Sequence, residues 1–239
     1  MDVKPEALPA KRERVHNVFE SISEHYDGGN RRISLGLQRR WKAALIAELA
    51  ETTPPRQGVL DLCCGTGDIA IGLAERRPDL TITGVDFSEN MLAVARQKTP
   101  EAFRARLHWT AGDAMHLDFP NGSFSAACIA FGLRNTEDYA QVLGEMRRVL
   151  VPGGRLYCLD SLVPEVGLVR PFYRLYFKHI MPILGGGNRH RQAYRWLWES
   201  TEQFLSKRDM VDLFQTIGLR AIGERSFLFG ACMMFCGCK

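Results

Sequence analysis

The sequence has no long run of apolar residues, no secretion signal and no repeats. No window of about 18 or more uncharged apolar residues occurs, so we predict no membrane-spanning helix. The first residues mix charges with prolines and lack the apolar segment of a secretory signal. Internal repeats and low-complexity segments are also missing. What remains, with 46% hydrophobic and 24% charged residues, is typical of a globular protein, which we expect to be cytoplasmic.

The cysteines form no recognisable metal-binding or disulfide pattern. There are seven of them, an odd number, and Cys63 is adjacent to Cys64, as is typical of free thiols in a reducing compartment. Cys232, Cys236 and Cys238 would face one side of a strand. Their spacing matches neither a Cys-x-x-Cys zinc site nor a three-cysteine iron–sulfur motif. The sequence therefore predicts no metal site.

The charge of the chain is too mild to indicate a nucleic-acid partner. The net charge is +4, and the basic residues are dispersed along the sequence. The sequence leaves the choice between a monomer and a homodimer open.

From Gly58 onward, short apolar runs alternate with helical patterns. Strands are predicted over Gly58–Leu62, Leu80–Val85, Arg106–Thr110, Ser125–Ala130 and Arg155–Leu159. Helices are predicted over Asp68–Arg76, Glu89–Gln97, Glu137–Leu150 and Lys207–Thr216. This alternation indicates a mainly parallel sheet with right-handed crossovers. Leu219–Phe229 and Ala231–Cys238, joined around Gly230, predict an antiparallel hairpin at the sheet edge.

Two further segments lie outside this alternation. Helices are predicted over Arg12–Ser23 and Leu37–Glu51, with a break at Gly28-Gly29-Asn30 between them. Residues 161–205 form an aromatic, basic insert. We therefore divide one predicted domain, residues 1–239, into a helical cap (12–53), a core (57–160), a lid insert (161–205) and a C-terminal helix and hairpin (206–239).

The segment Asp61-Leu62-Cys63-Cys64-Gly65-Thr66-Gly67-Asp68 joins the first strand to a helix. Its glycines, Gly65 and Gly67, allow a sharp turn and a close approach of a ligand to the backbone. Gly65 to Ala70 also fits the Gly-x-Gly-x-x-Gly/Ala fingerprint, and Asp86 lies at a suitable distance to bind a ribose. This segment alone is therefore compatible with a dinucleotide site, and residues elsewhere in the sequence are needed to distinguish the two kinds of ligand.

Acidic residues after three successive strands favour a different ligand. Asp61 would repel a pyrophosphate but attract an amino group and a sulfonium. Asp86 would accept hydrogen bonds from ribose hydroxyls, and Asp113 from the exocyclic amine of an adenine. The three acids together outline an adenosyl ligand without phosphate, which we interpret as S-adenosylmethionine (SAM).

Further motifs resemble the ubiquinone/menaquinone biosynthesis C-methyltransferase family over nearly the whole chain. The most specific are Phe131-Gly132-Leu133-Arg134-Asn135 and His25-Tyr26-Asp27. Others are Val18-Phe19, Ser34-Leu35-Gly36, Trp41-Lys42, Asp86 to Leu92, Val149 to Arg155, Tyr194 to Leu197, Glu199-Ser200 and Gly237-Cys238-Lys239. The resemblance implies a Rossmann-like α/β fold with the seven-stranded class I methyltransferase sheet, parallel except for an antiparallel C-terminal hairpin.

The resemblance also implies a reaction, the SAM-dependent methylation of a ring carbon of a polyprenylated quinol. The acceptor would be demethylmenaquinol or a ubiquinol precursor. The cofactor-binding residues that we predict are Asp61, Gly65, Thr66, Gly67, Asp86, Phe87, Met91, Asp113, Ala114 and Ala130. Ala130 replaces a serine that is usual in the family. Asp160-Ser161-Leu162 replaces the usual Glu-Phe-Ser, and Cys238 replaces an aromatic residue.

The chemistry needs a group that stabilises the phenolate of the quinol and a group that takes its proton. Arg134 and Asn135 follow the fourth strand, where the ligand crevice of such a sheet lies. We hypothesise that Arg134 stabilises the phenolate and that Asn135 orients the hydroxyl. Asp113, His25 and Tyr26 are the candidates for proton transfer.

Three other functions compete with this one. The acceptor could be another aromatic or isoprenoid small molecule. A nucleic-acid methyltransferase is disfavoured because no Asn/Asp-Pro-Pro-Tyr motif follows the fourth strand. A non-enzymatic SAM-binding scaffold is disfavoured because Asp61, Asp86, Asp113 and Arg134 are all retained.

The insert has a feature of its own, an apolar surface with a basic stripe. Arg170, Arg174 and Lys178 recur every four residues among the apolar side chains of residues 168–184. Such a helix can lie on an anionic membrane surface, peripherally on the inner face of the cytoplasmic membrane. It can equally be a lid packed on the core, and both roles are compatible.

Overall fold

The computed structural model of the chain describes Lys11, Val15, residues 26–176, Met181 and residues 191–239. Apart from Val15, the predicted helix Arg12–Ser23 lies outside these residues. Within the described part of the chain, no helix is long and apolar enough to cross a membrane.

The described residues contain a seven-stranded sheet. Its strands are β1 (Gly58–Leu62), β2 (Thr81–Asp86), β3 (Leu107–Ala111), β4 (Phe124–Ala130), β5 (Leu150–Ser161), β6 (Arg220–Phe227) and β7 (Cys232–Cys238). The strand order is β3-β2-β1-β4-β5-β7-β6. Strands β1 to β5 pair in parallel, and β7 is antiparallel to both β5 and β6. The predicted fold class is therefore confirmed. The strand order reverses between β1 and β4, where open α/β sheets bind their ligands.

Helices cover both faces of this sheet. They are α1 (Tyr26–Ile33), α2 (Leu37–Thr52), α3 (Asp68–Arg76), α4 (Glu89–Lys98), α5 (Tyr139–Val149), α6 (Val169–Leu175), α7 (Arg191–Glu202) and α8 (Lys207–Thr216). Alternate residues of each central strand point to opposite faces, so that Val59 packs with α2 and α3 whereas Leu60 packs with α5 and α8. The sheet thus carries a separate apolar core on each face.

Side-chain caps fix where several helices begin. Ser88, Asp138 and Ser206 each accept a hydrogen bond from a backbone N–H in the first turn of α4, α5 and α8. The cap at Asp138 places the start of α5 two residues beyond the predicted Glu137, after an unpredicted 3-10 turn at Leu133–Asn135.

The predicted break at Gly28-Gly29-Asn30 is wrong, because α1 runs through these residues. Glycine costs a helix only about 1 kcal/mol relative to alanine, which packing offsets. Ile33 at the end of α1 packs against Met181. The chain turns instead at Leu35 and Gly36, which both have positive φ.

The predicted start of the fifth strand at Arg155 is also wrong, whereas the preceding helix ends within one residue of the predicted Leu150. Helix α5 ends at Val149 and β5 begins at Leu150, so Pro152, Gly153 and Gly154 lie within β5. They form an irregularity, because Phe124 pairs with Leu150 whereas Ala126 pairs with Arg155. An irregularity of this kind accommodates proline within a strand.

Candidate active site

A cavity of about 350 Å³ opens at the carboxyl ends of the central strands. Its walls come from the loops that follow β1, β2, β3 and β4. The lining residues are Val15, Cys63, Gly65, Asp86, Phe87, Met91, Asp113, Ala114, Met115, Ala130, Phe131, Gly132, Asn135, Thr136 and Glu137. The structure therefore brings most of the predicted cofactor residues together around one space.

The loop after β1 turns through left-handed backbone conformations. Cys63, Gly65 and Gly67 have φ values of 54°, 54° and 81°. Gly67 also lies against Trp109, since a Cβ added to it would come within 2.4 Å of the indole ring. The Trp109 Nε1–H donates to Thr99 Oγ1 over 3.0 Å, which fixes the ring behind the loop. Glycine is needed at Gly67 for both its conformation and its space.

Asp86 ties the loop after β1 to the loop after β2. Its carboxylate accepts hydrogen bonds from the backbone N–H of Gly65 over 2.8 Å and of Ser88 over 3.0 Å. Asp113 accepts similarly from the backbone N–H of Met115 over 2.9 Å. Both acids line the cavity and are held by backbone donors, so the geometry of two of the predicted contacts is preorganised.

Asp61 lines a smaller recess that adjoins the main cavity. The recess is lined by Lys42, Asp61, Cys63, Cys64, Gly65, Thr66, Asp68, Ile69, Ala130 and Phe131, four of which also line the main cavity. Asp61 accepts from the backbone N–H of Ala70 over 3.2 Å and from Cys128 Sγ over 3.5 Å. Burial raises the pKa of Asp61 to about 7, against the opposing effects of these two donors and Lys42.

Two lysines flank the acid that begins helix α3. Lys42 Nζ lies 2.8 Å from Asp68 Oδ2, and Lys98 Nζ lies 2.5 Å from Asp68 Oδ1. Lys98 also donates to Thr66 Oγ1 over 3.3 Å. Burial alone would raise the pKa of Asp68, but the two lysines hold it below its ordinary value.

Arg134 lines neither of these cavities, so the hypothesis that it stabilises a phenolate requires a relay such as a water rather than a direct contact. Its side chain is 5% exposed and forms a short ion pair with the fully buried Asp160. The same guanidinium nitrogen donates to the carbonyl of Phe131 over 2.9 Å. A guanidinium so held fixes the loop after β4, including Phe131 with its positive φ of 59°. We therefore assign Arg134 a positioning role.

Asn135 does line the main cavity, as predicted. Its Nδ2 donates to the carbonyl of Phe131 over 3.1 Å, and its Oδ1 accepts from Trp196 Nε1 over 3.0 Å. These two bonds fix the orientation of the amide. His25 lies outside the described residues, and Tyr26 begins α1 with a side chain that also lies outside them.

Sequence reasoning missed several residues of these walls, above all Lys42 and Glu137. Lys42 was visible only as part of the Trp41-Lys42 motif, and no pattern marked Glu137. Lys11 Nζ donates to the Thr136 carbonyl over 2.5 Å and to the Tyr139 hydroxyl over 3.2 Å, beside Glu137. Partial burial lowers the pKa of Lys11, and the charge of Glu137 opposes this.

The charges around the main cavity suit an adenosyl cation better than a dinucleotide. Asp86, Asp113 and Glu137 line it, and none of its described lining residues is cationic. A pyrophosphate there would meet carboxylates without a compensating lysine or arginine, whereas a sulfonium would be attracted. The residues present therefore fit SAM.

Comparisons with known proteins agree with this chemistry. The sequence model of the ubiE/COQ5 methyltransferase family matches residues 8–239. A demethylmenaquinone methyltransferase of Shouchella clausii is 39% identical over 232 residues, which cover 96% of this chain and 98% of the relative. One of Staphylococcus aureus is 40% identical over 234 residues, covering 96% and 95%.

Solved structures share the fold at low sequence identity. Phosphoethanolamine N-methyltransferase 2 of Haemonchus contortus, in complex with S-adenosylhomocysteine, matches with a TM-score of 0.70 and 15% identity, covering 97% of this chain and 60% of that one. A SAM-dependent methyltransferase of Thermotoga maritima matches with a TM-score of 0.63 and 18% identity, covering 94% and 99%.

Proposed function

Because the chain belongs to the ubiE/COQ5 methyltransferase family and is a SAM-dependent methyltransferase of quinone biosynthesis, we propose that it methylates a ring carbon of demethylmenaquinol. The observation that supports this acceptor most is the near-complete coverage of the demethylmenaquinone methyltransferases at 39–40% identity. A ubiquinol precursor is the second candidate, since the sequence motifs resemble the ubiquinone/menaquinone biosynthesis C-methyltransferase family as a whole.

We propose that the main cavity holds the adenosine end of SAM. Asp86 would accept from the ribose hydroxyls and Asp113 from the adenine amine. Phe87, Met91 and Ala114 supply apolar surface beside them, and Ala130 can contribute only through its backbone and methyl group. Gly65, Thr66 and Gly67 would face the methionine end. When bound, SAM supplies an electrophilic methyl group.

The acceptor end of the cavity is formed by the loop after β4. Asn135 has a second N–H on Nδ2, which we propose orients the hydroxyl of the quinol. The proton of that hydroxyl needs a nearby base. Asp86, Asp113 and Glu137 are the carboxylates among the described lining residues, and Glu137 is the one not assigned above to adenosine. His25 and Tyr26 stay predicted candidates. Arg134 acts indirectly, because its bonds to Asp160 and Phe131 hold the loop after β4 in place.

An assay with labelled SAM tests the acceptor. The full chain is incubated with demethylmenaquinol and, in parallel, with a demethylated ubiquinol precursor, and label in the quinone fraction is measured. We expect transfer to demethylmenaquinol, and a loss of about 100-fold or more in the Asn135→Ala variant if its amide orients the ring. Transfer to neither quinol would contradict the proposal in favour of another aromatic or isoprenoid acceptor.

We further propose that an exposed apolar face of the protein binds a membrane surface. We assign to this face seven large apolar side chains that are exposed, namely Leu35, Val166, Leu168, Phe172, Leu175, Leu228 and Phe229. Two hydrogen bonds connect the segments that carry them. The Tyr176 hydroxyl donates to the carbonyl of Ile33, and the N–H of Leu162 donates to the carbonyl of Ala231 over 3.2 Å.

Basic side chains border this apolar face. Arg32, Arg39 and Arg40 surround an open groove next to Leu35. Arg170 of α6 is exposed, and Arg174 pairs with Glu202 across to α7. Lys178, the third residue of the predicted stripe, lies outside the described residues. Apolar side chains bordered by arginines match an anionic bilayer, where a polyprenylated quinol resides.

Helix α6 would serve as a lid as well. The hydroxyl of Tyr173 is buried, and burial raises the pKa of Tyr173. The charge of Arg134 opposes this rise, and the charge of Asp160 adds to it. Tyr173 thus lies toward the Arg134–Asp160 pair that holds the loop after β4, while Phe172 and Leu175 are exposed. Flotation with anionic liposomes tests the membrane contact, and failure to float with and without quinol would contradict it.

A further inference from the structure

Trp196 of helix α7 contacts the acceptor end of the main cavity from behind its wall. It belongs to the lid insert, 61 residues along the chain from Asn135, and its side chain is buried. Its Nε1–H donates to Asn135 Oδ1 over 3.0 Å. Asn135 lines the cavity, whereas Trp196 is not among the described residues that do so. Trp196 would therefore act on a bound acceptor through Asn135.

The two partners of the Asn135 side chain together determine which way its amide points. An indole N–H can only donate, so the atom that faces Trp196 has to be the amide oxygen. A backbone carbonyl can only accept, so the atom that faces the Phe131 carbonyl, 3.1 Å away, has to be the amide nitrogen. This nitrogen carries two hydrogens, of which Phe131 takes one. The side chain therefore offers an N–H to the acceptor rather than an oxygen.

Both partners belong to parts of the protein that other contacts hold in place. The Phe131 carbonyl also accepts from Arg134 Nη1 over 2.9 Å, and Arg134 is paired with Asp160. Two residues after α7, Phe204 packs edge-on against Tyr139 of α5, with the ring centroids 5.2 Å apart. Loss of the indole N–H should therefore release the amide without displacing either α7 or the loop after β4.

We infer that Trp196 is a positioning residue of the methyl transfer, which holds Asn135 with its N–H toward the oxygen of the quinol. The inference rests on the proposed contact between Asn135 and the acceptor. Methylation of the ring carbon requires negative charge to build up on that oxygen, which a donor stabilises and an amide oxygen would repel. An amide released from Trp196 is free to turn over and present its oxygen. The lid insert would thus contribute to the reaction itself.

A double-variant cycle tests this role. Labelled SAM gives kcat and KM for demethylmenaquinol in the native chain, Trp196→Phe, Asn135→Ala and the double variant, and calorimetry gives their affinity for S-adenosylhomocysteine. We expect Trp196→Phe to lower kcat about 10-fold or more and to leave that affinity unchanged. In the Asn135→Ala background, the same change should alter kcat by less than about twofold, because the residue through which it acts is absent.

A second comparison separates the N–H of the ring from its packing. Trp196→His retains a ring N–H at a similar distance from the backbone, whereas Trp196→Phe retains more apolar area. The His variant should keep the higher kcat if the N–H positions Asn135, and the Phe variant should keep it if the ring only packs. Trp198→Phe is the matched control on the same helix, about 200° further round, and should keep kcat within about twofold.

An unchanged kcat in Trp196→Phe, or an equal loss in both backgrounds, would overturn the inference. If thermal melting shows that Trp196→Phe is unfolded, benzothienylalanine at position 196 replaces it, since sulfur then takes the place of the ring N–H with almost the same shape. Transfer by the native chain to a ubiquinol precursor alone would contradict the proposed acceptor, and the cycle would be run with that quinol. Transfer to neither quinol would contradict the proposed function and the inference with it.

Discussion

Asp61 is the residue whose charge state should link the pH to both stability and ligand binding. Its pKa rises from 3.8 to about 7 on burial, so the folded protein holds this proton between these values whereas the unfolded chain releases it. The ligand-free protein should therefore lose stability as the pH rises through this window, by up to roughly 1.4 kcal/mol per pH unit. Denaturant unfolding of the native chain and of Asp61→Asn, at pH 5 and pH 8, measures this.

Ligand binding should change in the opposite direction. An ammonium favours the ionised form of Asp61, so the affinity for S-adenosylhomocysteine should rise about tenfold or more between pH 5.5 and pH 7. Asp61→Asn should bind weakly throughout and lose this pH dependence, while becoming more stable than the native chain at pH 8. A pH profile that Asp61→Asn leaves unchanged would assign the titration to another group.

Arg134 should contribute mainly to folding, since its partner is a buried carboxylate. Arg134→Met leaves Asp160 without its cation, which we expect to lower the free energy of unfolding by about 3–5 kcal/mol. Adding Asp160→Asn should recover much of this loss, as measured by urea unfolding. If turnover stays low in the stable double variant, the loop after β4 needs Arg134 for its position. A single variant that is fully stable and inactive would support direct contact with the substrate instead.

The sequence located this loop but not the direction of its side chains. The Phe-Gly-Leu-Arg-Asn string marked the site, and Asn135 does line the cavity. The turn of Arg134 away from the cavity depends on Asp160, which is 26 residues distant and belongs to a different strand. The same holds for Lys42, since only folding brings α2 next to the loop after β1. Contacts of this kind have no local pattern in a single sequence.

At the scale of elements, the packing under the cofactor loop depends on glycine in β2. A Cβ added to Gly84 would come within 2.4 Å of two ring atoms of Trp109. Because this ring is fixed by its bond to Thr99, Gly84→Ala should cost about 1–3 kcal/mol of stability. Thermal or urea unfolding measures the loss, which Trp109→Leu should partly relieve.

Gly144→Ala provides the matched control for this prediction. Gly144 lies within α5, and a Cβ added there meets nothing within 4 Å. The substitution should raise stability by about 0.5–1 kcal/mol through helix propensity alone. If Gly84→Ala were neutral as well, Trp109 would have room to shift, and the loop would not depend on it.

Elements with strong local signals were predicted almost to the residue. Strand β1 and helices α3 and α8 have the predicted bounds, because glycine turns and a serine cap mark their ends. The errors lie where tertiary contacts override local preference. Helix α1 tolerates two glycines because its end is packed, and β5 accommodates Pro152 through an irregular pairing with β4.

At the scale of the whole molecule, fold topology unites residues from four loops into one cavity. The alternation of strands and helices predicted this parallel arrangement, and with it the edge at which Asp86 and Asp113 meet. The sequence could not predict that hydrogen bonds join the end of α6 to the residues before Leu35 and the hairpin tip to the end of β5, because these segments are far apart along the chain. At the hairpin tip, Phe229 is 68% exposed and has a positive φ of 56°.

This surface should matter only for acceptors that reside in a membrane. Replacing its residues by Leu35→Asn, Phe172→Ser and Phe229→Asn removes apolar area, and asparagine tolerates the left-handed backbone at the first and last of these positions. We expect the triple variant to lose binding to anionic liposomes and kcat/KM for a long-tailed quinol presented in them. Its kcat/KM for a short-tailed quinol in buffer should stay within about twofold, because none of the three residues lines the main cavity.

Arg39→Gln with Arg40→Gln should instead reduce the salt dependence of liposome binding, since it removes charge and leaves the apolar area intact. Equal losses on both quinols in the triple variant would mean that these residues support the active site itself rather than access to the bilayer.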